Sequence, residues 1–356
     1  MGGIRRRVSR PNRLWKYLSH QRYYVAIVAA LLVVVGVLLA VSSSLADYGP
    51  NLGLNLGADL IGTIVVLFLI APLINRADQD KEKRRERFHH HEFMNEVETA
   101  QDRVRILELW LDLLQDEYKE TFVNAVRAAL DRGIDVRILI LDPDAEAAEQ
   151  RNRDLHGQTN VMANILDNLR VLYGEFVRVP ASRNIEIRVY SALPPVQMYQ
   201  TDDHVVVSFY PVDVTSWNAE QYHTSQSSQL GTFVSAKFDE LWEAHSTRTL
   251  EQFMKVAVIV ETGSEQKAYR LPFVTRGQTT YVNGREIIEH HAATGIGGLA
   301  ARVVIGNAHG HREERGPYQL TQPNHAHDEV RKLFERKYGP DHHEMLLELV
   351  EVPARG

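Results

Sequence analysis

Two regions of this 356-residue chain carry side chains whose types and spacing could do chemistry. In PPVQMYQTDDHVVVSFYP, Pro194 to Pro211, the polar residues Gln197, Tyr199, Asp202, His204 and Ser208 punctuate two short apolar runs joined at Thr201-Asp202-Asp203. That outline is a strand-turn-strand, because Asp pairs favour turns. Its groups could accept, donate or attack, yet no nucleophile stands beside a cation. The second region is rich in histidine: His290, His291, His309, His311, His325, His327, His342 and His343. His309-x-His311 and His325-x-His327 would each share a face on a strand. No acid or third ligand accompanies them at a diagnostic spacing, so they read as exposed loop residues rather than a zinc site. His89, His90 and His91 are consecutive and point to different sides of a helix, which excludes a common metal there. The chain has no cysteine, and with it no disulfide, thiolate site or cysteine nucleophile. A serine triad, a P-loop and a dinucleotide fingerprint are absent as well.

The elements that must hold the first region follow from periodicity. VRILELWL, Val104 to Leu111, is an apolar run of strand length, and in YKETFVNAVRAALDRG the residues Phe122, Val126 and Leu130 recur every four positions before Gly133. IDVRILILDPD follows as a second buried strand, so strand, helix and strand form a βαβ unit with parallel strands. Glu146 to Phe176 is helical by pattern with a break at His156-Gly157, and NIEIRVYS alternates as a strand. LGTFVSAKFDELWEAH closes the domain as an amphipathic helix.

This succession, with ALDRGIDVRILILDP, IEIRVYS, a hairpin carrying TDD and a terminal LGTFVSAKFDELW, resembles one half-domain of the phospholipase D superfamily over about residues 95–245. Active members carry HxKxxxxD in that hairpin, and the resemblance implies a phospho-histidine nucleophile and a phosphate-neutralising lysine. With Asp202 as the terminal Asp, the lysine position is Gln197 and the histidine position Pro195. Proline has no nucleophile and glutamine no charge. His204 lies two residues past the Asp, where a shift along a strand changes the face. The resemblance therefore implies a degenerate phosphate- or nucleotide-binding cleft at Gln197, Tyr199, Asp202, His204 and Ser208, against the alternative that these are scaffold residues. It also implies pairing of half-domains as a homodimer.

Beyond Ser246-Thr247-Arg248 the pattern changes to short strands punctuated by glycine, which predicts a small antiparallel barrel or sandwich. PNHAHDEVRKLFERKYG is a helix with Val330, Leu333, Phe334 and Tyr338 as its buried stripe, and MLLELVEV is a last strand. ETGSEQKAYRLPFV and VRKLFERKYG are similar to split β-barrel flavin or deazaflavin oxidoreductases, in which Lys267 and Arg270 would be the nearest match to the phosphate grip.

Ahead of both lies the membrane signal. Tyr23 to Leu45 has no charge and is as long as the roughly 20 apolar residues that cross a bilayer. Leu60 to Ile74 spans if it begins near Leu52 with Asp59 at an interface. The apolar run is too long for a signal peptide, despite the arginines before it. The connector lacks Lys and Arg while both outer flanks are basic, so the positive-inside rule puts both termini in the cytoplasm.

The expected organisation is a basic cytoplasmic N-terminus (1–22), two transmembrane helices in the cell membrane (23–76), a charged juxtamembrane helix (77–98), a phospholipase D-like α/β domain (99–246) and a mostly-β, split-barrel-like domain (247–356). Its expected partners are membrane lipid, also through the basic flank, a second copy of the chain, and a phosphorylated small molecule or a protein. Nucleic acid is not expected. Three functions fit: a catalytically inactive binding or sensing module, a flavin- or deazaflavin-dependent oxidoreductase acting through the barrel, and phosphodiester hydrolysis by a displaced nucleophile.

Overall fold

A computed structural model describes residues 83–352 except 179–183, 193, 195, 264, 293–294, 297–298, 324–326 and 341–344. The stretches read as membrane spans, 23–76, and the Pro195 position lie outside the described residues. Among the described residues no helix is long and apolar enough to cross a membrane.

The charged stretch read as one helix divides in two. Lys83–Arg85 (β1) is an edge strand and His90–Thr99 (α1) a helix. Strand pairing there overrides helix propensity, with Arg84 bonded to Glu220 and Arg85 to Glu92. The chain continues through Arg103–Glu108 (β2), Asp116–Asp131 (α2), Asp135–Leu141 (β3), Glu146–Asp154 (α3), Val161–Leu172 (α4) and Ile185–Tyr190 (β4). Next come Gln197–Thr201 (β5), His204–Ser208 (β6), Gln221–Ser225 (β7), Gln229–Trp242 (α5), Arg248–Thr249 (β8) and Leu250–Met254 (α6).

The eight strands form one sheet in the order β1-β7-β6-β5-β2-β3-β4-β8. β2, β3 and β4 are parallel, as the βαβ reading requires, and every other pair is antiparallel. β2 is the hinge between the two halves, parallel to β3 and antiparallel to β5. Because side chains alternate across a sheet, one face of β5 presents Gln197, Tyr199 and Thr201. Tyr199 packs there against Phe88 and Phe93 beside α1. The other face is covered by α5, with the Arg105 guanidinium over Phe238 and that of Arg188 over Trp242. The alternation in NIEIRVYS therefore does not separate core from solvent: Arg188 and Tyr190 are as buried as Ile187 and Val189.

β8 pairs with β4, and Leu250, Phe253 and Met254 belong to the α/β core. The chain then enters a closed antiparallel barrel of Lys255–Thr262 (β9), Glu265–Arg276 (β10), Thr279–Asn283 (β11), Ala300–Gly306 (β12), Arg312–Thr321 (β13) and Leu346–Glu351 (β14). Arg285–His290 (α7), read as strand from its sequence, is a short helix. The Asn283 side chain accepts the Arg285 N–H at 3.2 Å and turns the chain, and Gly284 is required because a Cβ would lie 2.3 Å from Leu347. His327–Tyr338 (α8) buries Val330 and Phe334, as its stripe predicts. The Tyr338 hydroxyl donates to the carbonyls of Met254 and Phe273 at 2.6 and 2.8 Å, tying α8 to the start of the barrel.

Gly231 in α5 meets the backbone oxygen of Ser225, 2.0 Å from where a Cβ would stand, while nothing lies within 4 Å of the equivalent point at Gly174. Gly231→Ala is expected to destabilise the chain by about 2 kcal/mol or more through overpacking. Gly174→Ala is expected to be neutral or to stabilise it by roughly 0.5–1 kcal/mol. Urea unfolding of the two variants checks the contrast.

Candidate functional site

The five polar residues of the hairpin do not converge into one cleft. Gln197 and Ser208 are cross-strand partners at one end of the β5–β6 pair, and Thr201 and His204 are partners at the other. At roughly 3.3 Å per residue, the ends are more than 10 Å apart. Ser208 pairs in turn with Gln221, and continuing the Leu107–Met198 register sets Glu108 beside Gln197. Glu108, Gln197, Ser208 and Gln221 thus form a cross-strand row of four polar residues, each at most 1% exposed. This row lies at the carboxyl end of β2, the side on which open α/β sheets bind ligands.

Glu108 is the charge-bearing member. The Leu109 N–H and the Tyr210 hydroxyl donate to its Oε1 at 2.8 and 3.0 Å, and the Tyr199 hydroxyl to its Oε2 at 3.2 Å. Tyr190 donates to its backbone carbonyl at 3.1 Å. Burial pushes the carboxyl up to about 8, outweighing these donors and the charge of Arg151, so Glu108 is a neutral acid at pH 7. Burial, reinforced by Glu108, also raises the three tyrosines well above the usual phenol value. Arg151 is itself committed, donating to the carbonyls of Pro211 and Val214 at 2.7 Å each.

Gln197 occupies the position that the resemblance assigns to a lysine. Among the described residues neither its amide oxygen nor its amide nitrogen has a hydrogen-bond partner, and the same holds for Trp110 Nε1 and Gln221 Oε1. Ser208 Oγ and Gln221 Nε2 both donate to the Ser216 carbonyl, at 3.2 and 2.8 Å. The row therefore closes onto the turn Ser216–Asn218.

Asp202, which the resemblance aligns with the terminal Asp of the motif, is structural. It sits at φ 52° in the β5–β6 turn, and its carboxylate accepts the backbone N–H groups of Gln101, Asp102 and Arg103 at 2.9, 2.7 and 3.2 Å. It anchors the turn to the start of β2. His204 is held on both ring nitrogens: Nδ1 lies 2.9 Å from Glu96 Oε2 and Nε2 3.1 Å from His223 Nδ1. Burial raises Glu96, but the His204 hydrogen bond and charge and the Thr201 hydroxyl outweigh it and hold the carboxylate below its usual value. Burial, then Arg85 and His204, lowers His223 to about 4. His204 is thus the middle of a Glu96–His204–His223 chain and not a free nucleophile.

Beside the row is an open cavity of about 450 Å³ lined by Arg87–Glu92, Asp112, Tyr118, Trp217 and Asn218. Periodicity assigned none of these to a site, and the consecutive histidines meet here because α1 starts at His90. Among the described residues no group of three or more His, Cys, Asp or Glu could hold a metal ion. In the barrel, Lys267 and Arg270 stand on opposite faces of β10: Lys267 Nζ lies 3.2 Å from His290 Nδ1, and Arg270 pairs with Glu251 at 2.9 Å. They form no joint phosphate grip.

No model of a known protein family matches the chain, and no curated protein does. Among solved structures it is similar to phosphatidylserine synthase from Haemophilus influenzae Rd KW20, with 14% identity and a TM-score of 0.34 over 57% of this chain and 49% of that one. It is also similar to TrmBL2, an archaeal chromatin protein, with 16% identity and a TM-score of 0.31 over 55% and 66%. Nuc, a phospholipase D family member from Salmonella typhimurium, gives 14% identity and a TM-score of 0.29 over 48% and 98%. For the first two, the match spans less than two thirds of the other protein's chain.

An acid raised by folding binds more protons folded than unfolded between its two pKa values. Its stabilising contribution is therefore complete below the unfolded value near 4.3 and is lost as pH rises through about 8. Glu108→Gln is expected to remove this loss, so that stability measured by urea unfolding declines less from pH 5 to pH 8.5 than in the unaltered chain. Asp202→Ala, which strips three N–H groups of their acceptor, is expected to cost roughly 1–3 kcal/mol in the same assay.

Proposed function

We propose that the chain is a membrane-tethered, phospholipase D-like protein that does not cleave phosphodiesters and serves as a binding or sensing module for a phosphorylated ligand or a protein partner. One observation carries this reading: Gln197, buried and without a hydrogen-bond partner among the described residues, occupies the position that the resemblance assigns to the phosphate-neutralising lysine. Its neighbour is Glu108, a neutral acid. Phosphoryl chemistry requires an activated nucleophile and compensation of the developing negative charge, and a neutral buried row supplies neither. His204 does not replace the nucleophile, because Glu96 and His223 engage both its ring nitrogens.

The tether rests on sequence: the uncharged stretch Tyr23 to Leu45, the second apolar stretch and the basic flanks. Self-association as a homodimer is part of the proposal through the half-domain resemblance. Lys267 and Arg270, on opposite faces of one strand, give no support to a flavin- or deazaflavin-dependent reaction.

The test is a phosphodiesterase assay of the full chain in mild detergent with bis(p-nitrophenyl) phosphate. Release of nitrophenol is expected to stay at the level of the protein-free blank. Turnover that disappears in His204→Ala would overturn the proposal.

A further inference from the structure

We infer that the open cavity beside the buried row binds a phosphate monoester carrying a flat ring, a ligand of the mononucleotide class. This rests on the reading that the chain binds a phosphorylated ligand without cleaving it. The buried row cannot be that site, since Gln197, Ser208 and Gln221 are closed to solvent. The neighbouring cavity is open, and its volume of about 450 Å³ lies in the range of small-molecule sites.

The cavity wall carries one cation that no described carboxylate pairs with. Both carboxylates on its wall are already engaged: Glu92 with Arg85 at 3.0 Å and Asp112 with His90 at 2.7 Å. Arg87, exposed on the same wall, makes no ion pair with any described residue. A guanidinium in that position offers a planar pair of donors that suits phosphate oxygens. His89 and His91 add ring donors beside it. The first-turn N–H groups of α1, which begins in this wall, receive no side-chain cap from His89.

The remaining walls are aromatic and braced from behind. Trp217 is half-buried, with the edge of Trp110 packed on it at 5.3 Å and 87°. Tyr118 is stacked on His90 at 4.4 Å and 3°. Rings held in this way accept a flat heterocycle at little further ordering cost. Asn218 is exposed beside them, and because its Nδ2 donates to Thr215 Oγ1 at 3.0 Å, its carbonyl oxygen is the part left to read a ring N–H. Cation, imidazoles and braced rings around one cavity match a ligand that carries both a phosphate and a base.

Titration calorimetry of the full chain in mild detergent tests the inference, with the four ribonucleoside monophosphates, ribose 5-phosphate, adenosine and inorganic phosphate as probes. At least one nucleoside monophosphate is expected to bind ten-fold or more tightly than ribose 5-phosphate or inorganic phosphate, and adenosine more weakly than AMP. Arg87→Gln changes an exposed residue and leaves the fold in place. It is expected to weaken the monophosphate at least ten-fold without altering adenosine binding, and Trp217→Leu to weaken the monophosphate more than ribose 5-phosphate. Monophosphate affinity unchanged in Arg87→Gln, or no monophosphate bound at millimolar concentration, would overturn the site. Such a failure with nitrophenol release still at the blank level leaves the non-catalytic reading standing. Turnover together with intact Arg87-dependent binding overturns that reading alone.

Discussion

A carboxyl group that cannot reach water governs this structure. Glu108 ends β2, the strand at which the parallel and antiparallel halves of the sheet meet, and ionising it there would carry the full desolvation penalty of a buried charge. Burial keeps it neutral, and its surroundings keep it hydrogen-bonded. Tyr199 comes from the antiparallel half, Tyr190 from the parallel half, Tyr210 from the loop after β6, and all three hydroxyls turn to this one residue. Arg151 on α3 is fixed over the Tyr210 ring by the same packing. The strand order, the loop after β6 and the position of α3 are thereby tied to one proton.

The same face of the sheet shows how two polar clusters can share a surface and differ in character. Near Glu108 burial dominates, and the result is a neutral, closed row. At the other end of β5 and β6, Glu96 keeps its charge because His204 and Thr201 bond to it, and His223 is kept neutral by burial beside Arg85. Between them stands Tyr199 against Val206, with Phe88 and Phe93 over its ring. An apolar plug separates the two clusters, which is why residues adjacent in one sequence motif do not act together.

The segment entering the α/β sheet has a double role. Lys83–Arg85 lies on the sheet edge against β7, and the residues that follow form a wall of the open cavity. Arg85 serves both, since it belongs to β1 and neutralises Glu92 on that wall. Arg87, on that wall, makes no ion pair with any described residue.

Periodicity was enough to determine the βαβ unit, the TDD hairpin, the closing helix α5, a run of short antiparallel strands and the stripe of α8, because each buries one side of a regular repeat and the repeat is local; that those strands close into a barrel and do not stack as a sandwich was decided by the tertiary structure. That the positions the resemblance assigns to a nucleophile and a cation hold proline and glutamine was also legible, since it concerns residue identity alone. What only the tertiary structure decided is what those residues touch. Asp202 turns out to hold three backbone N–H groups, a role no spacing reveals. His204 is engaged by Glu96 and His223, which are 108 and 19 positions away. Glu108 was visible as a lone acid within VRILELWL, yet its neutrality comes from burial that outweighs its hydrogen-bond donors, and the hydroxyls that bond to it come from 82, 91 and 102 positions along the chain. Local pattern records which side of an element is apolar; the charge state of a buried group is set by everything that excludes water from it, and that is assembled only when distant strands meet.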